Sequence, residues 1–218
     1  MSVTVIMPAT AKRLTTVANV RGDLGLTEDA AAEAQVLRWV DQASQQAATY
    51  CRRVFGRETV RERIDLCRHG SVTEDGGILL DRSPVASIAS VKVGGTLQAS
   101  DAYATDGRVL YRMEGDERRC WSGRDVVVQY EAGWLLPGEE RTVGGVRTAT
   151  EDLPADIERA VIQLVGVSAS MAGRDITIKS EDVEGVGSRD FYVQGANAAL
   201  PHPEAEAILS QYRRMLFA

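Results

Sequence analysis

The hydrophobic repeat of this chain changes period twice, and that limits its fold more than any single motif. Between Thr27 and Val54, the residues Val36, Val40, Ala43, Ala47, Tyr50, Cys51 and Val54 fall on one stripe, which predicts a long amphipathic helix. Thr27 is its expected N-cap, with Glu28 and Asp29 where the helix dipole favours negative charge, and Gly56 its expected stop. From Thr59 to Ala132 the runs become short and β-branched: Val60, Ile64 and Leu66, then Ile78–Leu80, then Ile88, Val91 and Val93, then Val109–Tyr111, then Val126–Tyr130. Turn signals separate them, among them Asp75-Gly76-Gly77, Ser83-Pro84, Gly94-Gly95 and Asp106-Gly107, so the block reads as antiparallel β. Helical spacing returns at Asp152-Leu153-Pro154, with Ile157, Ala160, Val161, Leu164 and Val165 on one face and an end near Gly173.

The predicted class is therefore α+β, with an antiparallel β-rich portion (residues 59–136) inserted between helical segments (14–58 and 151–218). Leu14–Leu24 reads as a short helical turn. Residues 1–13 read as a flexible N-terminal arm, and the polar, glycine-containing stretch Pro137–Thr150 as a loop. Residues 174–202 are polar, lack sustained periodicity and suit binding or assembly. Pro203 opens a last helix with Glu204 and Glu206 early, Arg213 and Arg214 late, and Ile208, Tyr212, Met215 and Leu216 on one face.

A net charge of −6 and a pI near 5.1 argue against a protein that grips phosphates, which requires clustered Lys and Arg. They do not exclude a chain that surrounds DNA without gripping it. The longest apolar run, Val161–Ala172, is interrupted by Gln163 and two serines and is too short to span a bilayer, so no membrane role is expected. Three cysteines without a CxxC pair indicate free thiols and a reducing cytosol.

Signals for chemistry are sparse. A structural zinc site needs four converging donors, whereas Cys67 and His69 form a single C-x-H pair. A cysteine nucleophile would need Cys51, Cys67 or Cys120 beside His69 or His202, and no orienting partner is marked. Gly185-Val-Gly187-Ser-Arg-Asp lacks the spacing of a phosphate-binding loop. The carboxylates are scattered. No catalytic residue, cofactor or metal is predicted, and the chain does not read as an enzyme. Trp121 and Trp134 read as sheet anchors. Arg52, Arg53 and Arg57 cluster at the end of the long helix, where they suit its negative pole or an acidic neighbour. The apolar C-terminal set Ile208, Tyr212, Met215, Leu216 and Phe217 suits burial in the chain's own core or against a partner.

Several segments, in order, carry a resemblance. They are Tyr50-Cys-Arg-Arg53-Val-Phe55-Gly, Leu79-Leu-Asp-Arg-Ser-Pro84-Val-Ala-Ser-Ile88-Ala-Ser-Val91, Tyr130-Glu-Ala-Gly-Trp134, Asp152-Leu-Pro, and Ile178-Lys-Ser-Glu181-Asp-Val-Glu-Gly185. Together they resemble the head–tail connector (adaptor, or head-completion) proteins of tailed bacteriophages. The resemblance implies a helical bundle with an inserted β-rich portion. It also implies a ring, commonly of twelve copies, between the portal protein and a tail or stopper protein, through which genomic DNA passes without sequence-specific contact. It places the protein at the head–tail junction of the virion, after synthesis in the host cytoplasm. The alternatives are a tail-completion or other assembly protein, and a cysteine-dependent enzyme.

Overall fold

A computed structural model describes residues 2–29, 31–67, 72–143, 146–172, 180–183, 187–190 and 198–214. The chain divides into two compact units. The β-unit takes the N-terminal residues through Ala11 and Val54–Asp152; the helical unit takes Lys12–Arg53 and Leu153–Met215. The boundaries therefore differ from those read in the sequence, because the N-terminus and residues 54–58 go with the strands.

The β-unit begins with β1 (Ser2–Met7), β2 (Glu58–Asp65), β3 (Ile78–Leu79), β4 (Val85–Val93) and β5 (Thr96–Leu97). It continues with β6 (Tyr103–Thr105), β7 (Val109–Glu114), β8 (Glu117–Arg119) and β9 (Asp125–Ala132). One antiparallel sheet has the order β1-β2-β9-β4-β5, and a second has β3-β7-β6 with β8 also on β7. The central strand β9 pairs β2 in the register Val60↔Tyr130 and Ile64↔Val126, and pairs β4 on its other side. Alternate residues of β2 and β9 point inward, so Val60, Ile64, Val126, Val128 and Tyr130 meet Ile78, Leu80 and Leu110 of the second sheet in one core. The sequence reading missed β5, β6 and β8, which are two or three residues long and have little apolar alternation.

Two irregular stretches are corrected. The expected flexible arm contains β1, paired antiparallel with β2 from Ser2↔Arg63 to Met7↔Thr59. Val3, Thr4, Val5 and Ile6 are all β-branched, and they cover the outer edge of β2. The expected loop 137–150 contains the paired strands β10 (Arg141–Val143) and β11 (Val146–Ala149).

A backbone clasp gathers the distant motifs of this unit. Trp134 N–H donates to Phe55 O at 2.8 Å, and Gly133 N–H donates to Pro84 O at 2.9 Å. The Phe55 and Trp134 rings stack with centroids 5.7 Å apart. Asp152 closes the excursion that follows. Its Oδ1 accepts from Leu135 N–H at 2.6 Å, its own N–H donates to Leu135 O at 3.1 Å, and its Oδ2 accepts from Arg57 at 2.5 Å. Gly133 has φ of 100°, and a Cβ there would lie 2.5 Å from Gly56 O and 2.8 Å from Phe55 O. Backbone oxygens cannot step aside as a flexible side chain can, so this position requires glycine.

The helical unit contains α1 (Val17–Leu24), α2 (Glu33–Cys51), α3 (Ala155–Met171) and, after the paired strands β12 (Ser180–Val183) and β13 (Gly187–Asp190), α4 (Pro203–Gln211). The expected irregular stretch 174–202 thus includes a strand pair. The buried stripe of α2 is Val36, Val40, Ala43, Ser44, Ala47 and Cys51, and α3 packs against α1, α2 and α4. Ser44 is tolerated in that stripe because its Oγ accepts from Leu14 N–H at 3.0 Å.

Helix ends also differ from the reading. α2 starts after Ala32, not Thr27, whose carbonyl instead accepts from Ala31 in a separate turn. It stops at Arg52, left-handed at φ 55°, ahead of Gly56. Pro154 stands at the N-cap of α3, one position before the first turn.

Replacing Gly133 by Ala is expected to lower unfolding free energy by about 3 kcal/mol or more, since strain and backbone overlap act together. Urea denaturation of the two proteins checks this; a loss below about 1 kcal/mol would show that the clasp can relax.

Candidate functional site

The C-terminal candidates cluster at the end of α4, but most are used internally. Ala205 and Leu209 form the buried face of this helix, while Ile208 and Tyr212 are half-buried. The Tyr212 hydroxyl donates to the Asp156 carboxylate at 2.7 and 3.0 Å. Burial and that carboxylate push the Tyr212 phenol up to about 12. Arg53 donates to Tyr212 O at 3.3 Å, and Arg214 N–H donates to Cys51 O at 2.9 Å. The end of α2 and the chain after α4 are thus tied together within the helical unit. Arg213 lies over the Tyr50 ring at 5.5 Å. Met215, Leu216 and Phe217 lie outside the described residues.

The basic cluster does not act as one patch. Arg52 is exposed and forms the left-handed cap of α2. Arg53 serves the Tyr212 carbonyl. Arg57 belongs to the β-unit, where it holds Asp152 and donates to Gly133 O at 3.4 Å. Arg53, Arg57 and Tyr212, expected at an assembly interface, each also hold a bond within their own unit. Their polar groups face backbone and carboxylate oxygens of their own unit.

The three thiols differ in exposure. Cys51 is fully buried, its Sγ donates to Leu209 O at 3.3 Å, and burial pushes its thiol up to about 11. It is a thiol, not a thiolate, near neutral pH. Cys67 and Cys120 are exposed, and His69 lies outside the described residues. His202 caps α4, its Nδ1 accepting from Ala205 N–H at 3.3 Å. Among the described residues, no group of His, Cys, Asp and Glu is placed to hold a metal, and no helix is long and apolar enough to cross a membrane. Trp121 anchors the sheet through Nε1–H to Leu110 O at 3.2 Å, and Trp134 through the clasp. A groove of about 580 Å³ runs along α2, lined by Gln42, Gln45, Gln46, Thr49, Tyr50 and Leu200 among others. Asp41 also lines it, and its carboxylate pairs with Arg13 at 2.6 Å.

Sequence reasoning missed a buried acid. Glu62 is fully buried on the inward face of β2, where its carboxylate Oε2 accepts from the Tyr130 hydroxyl at 2.7 Å and from Asp81 N–H at 3.0 Å. Its Oε1 has no hydrogen-bond partner among the described residues. Nearby, Arg82 pairs with buried Glu58 at 2.8 Å and with Asp81 at 3.1 Å. Burial dominates and holds the Glu62 carboxyl above the ordinary carboxylate range, against the opposing pull of its two donors. The signal was present in the pattern: Glu62 has the parity of Val60 and Ile64, so an inward-facing acid follows once the strand is assigned.

No family model matches the chain, and no curated protein does. Among solved structures, it is similar to a chain in the neck of an empty gene transfer agent particle, computed with C6 symmetry. The identity is 16% over 100% of this chain and 98% of that one, with a TM-score of 0.49. It is similar to a chain of the native gene transfer agent virion at 15% identity over the same shares, with a TM-score of 0.49. A chain in the neck of the native particle, computed with C12 symmetry, matches at 15% identity over 100% and 98%, with a TM-score of 0.47.

Two outcomes are expected from these groups. In the unfolded chain Glu62 ionises in the ordinary carboxylate range, but in the folded protein only at higher pH. Between those values folding takes up a proton, so this residue's contribution falls as pH rises and is then constant. Glu62→Gln removes that term, so its stability relative to the native protein should climb as pH rises above the ordinary carboxylate range in denaturant titrations. A pH-independent difference would show that Glu62 ionises normally. Separately, thiol titration of the native protein should find Cys67 and Cys120 reactive and Cys51 only after unfolding; rapid labelling of all three would contradict the packing of Cys51.

Proposed function

We propose that this chain is a head–tail connector of a phage-like particle: a helical bundle carrying an inserted antiparallel β-rich portion. In this reading copies form a ring, commonly of twelve, at the head–tail junction after synthesis in the host cytoplasm. The ring extends the DNA channel below the portal protein and presents a surface for a tail or stopper protein. The role is structural, without catalysis or a cofactor.

One observation carries the proposal. Four of the five segments that resemble the connector family are spread between residues 50 and 154, yet Phe55-Gly56-Arg57, Pro84, Gly133-Trp134 and Asp152 converge in the clasp. Each motif alone is weak. Physical interdependence makes the set a single structural signature, because Gly133 needs the close backbone of Gly56, and Asp152 needs Arg57. An acidic chain without a phosphate-gripping charge excess also suits a conduit that DNA must pass.

The portal contact in this reading is the C-terminal end, with Ile208, Met215, Leu216 and Phe217 as apolar anchors and exposed Arg52 beside an acidic neighbour. Removing residues 207–218 would not test this, since it takes away buried Leu209 and the Tyr212–Asp156 bond. The informative truncation removes 215–218 alone. The full chain, tagged and recovered from particle-producing cells, should bring down a large portal-type ring protein. The truncated chain should keep its melting temperature and lose that partner. Recovery of tail-tube proteins only would move the chain to tail completion, and portal binding by the truncated chain would remove the C-terminal assignment.

A further inference from the structure

The five-stranded sheet of the β-unit ends in two open edges. At one end β1 pairs only with β2, and among the described residues its outer backbone groups make no other hydrogen bond. At the other end β5 covers β4 only at Lys92 and Val93, with Gln98 N–H adding a bond to Val91 O. Ala86–Ser90 of β4 make no backbone hydrogen bond on that side among the described residues.

The two edges match. Ser2–Met7 (SVTVIM) contains no charge and no proline, and neither does the stretch 85–90 (VASIAS). The first is six residues long, and the open part of the second, Ala86–Ser90, is five, since Val85 N–H already donates to Gly107 O. Native edge strands are normally protected by lysine, proline or a covering element. Here β1 instead exposes Val5 at 43%, Ile6 at 48% and Met7 at 63%.

We infer that β1 of one copy pairs with the open stretch of β4 of the next copy, so that the sheet runs on from subunit to subunit. This rests on the ring reading above and names its lateral contact. Direction supports this occupant. β1 and β9 run one way and β2 and β4 the other, because every pairing in the sheet is antiparallel. Neighbours in a ring differ by a small rotation, so β1 of the next copy keeps its direction and meets β4 antiparallel. The contact joins two different surfaces, which is the head-to-tail type that closes a ring. Main-chain hydrogen bonds supply the pairing, as in strand addition by peptides. The extra residues Ala86 and Ala89, which lack a partner on β9, form bulges that twist this edge, so propagation turns instead of running flat.

Disulfide trapping tests the inference. In a full-length Cys67→Ser, Cys120→Ser background, Val5→Cys is combined with Ala89→Cys, and in a second protein with Ala86→Cys. All these positions are exposed, and circular dichroism melts check the fold. Mild oxidation of the concentrated protein should give a ladder of covalent multimers on non-reducing gels in at least one register. Val5→Cys alone should give monomer. Covalent dimer from Val5→Cys alone would mean that β1 meets β1, which overturns the head-to-tail pairing. No ladder from protein that sediments as a ring-sized multimer overturns the edge contact but leaves the ring. No ladder from protein that sediments only as monomer, alone and with the portal-type partner, overturns both.

Discussion

Gly133 is where the β-unit admits no alternative. The backbone there passes so close to Phe55 and Gly56 that a single methyl group would overlap two carbonyl oxygens. That approach puts Trp134 N–H on Phe55 O and lets the two rings stack. It leaves the Gly133 carbonyl for Arg57, whose guanidinium then holds Asp152. Strand β9 is central in its sheet, so fixing its exit also fixes the start of β2 and, through Pro84, the start of β4. One close backbone crossing thus anchors three strands and the base of the excursion closed by Asp152.

Neither unit is a continuous stretch of sequence. The chain changes units after Ala11, Arg53 and Asp152, so each depends on contacts between distant segments. Closing such loops is entropically costly before contacts reward it. Tight, geometrically demanding contacts at Phe55, Gly133 and Asp152 lie near two of those crossings. Within the β-unit the cost of burying Glu62 is met in part by Tyr130 and Asp81, and burial still holds its carboxyl above the ordinary carboxylate range.

What was legible in the sequence was periodic. The stripe on α2, the apolar face of α3 and the strands β2, β4, β7 and β9 all show in the spacing of Val, Ile, Leu and Ala. What escaped was set by backbone geometry or by tertiary partners. Strand β1 looked like an arm because its partner edge is more than fifty residues away by position. The start of α2 was misplaced because Thr27 caps well in general but here serves a separate turn. Arg52, Arg53 and Arg57 looked like one patch because they are close in sequence, while the chain sends them to three different tasks. Glu62 was overlooked because acids were weighed as solvent groups and not by strand parity.

Arg52 ends α2 in the left-handed conformation that glycine adopts freely and side chains resist, at a cost of about 1 kcal/mol. Glycine would satisfy the same carbonyls of Ala48 and Thr49 without that cost. The chain therefore carries a built-in penalty to keep a cation at the surface, on the rigid end of a helix whose carbonyl pole is negative. That places an exposed cation at the end of α2 where the helix dipole favours positive charge.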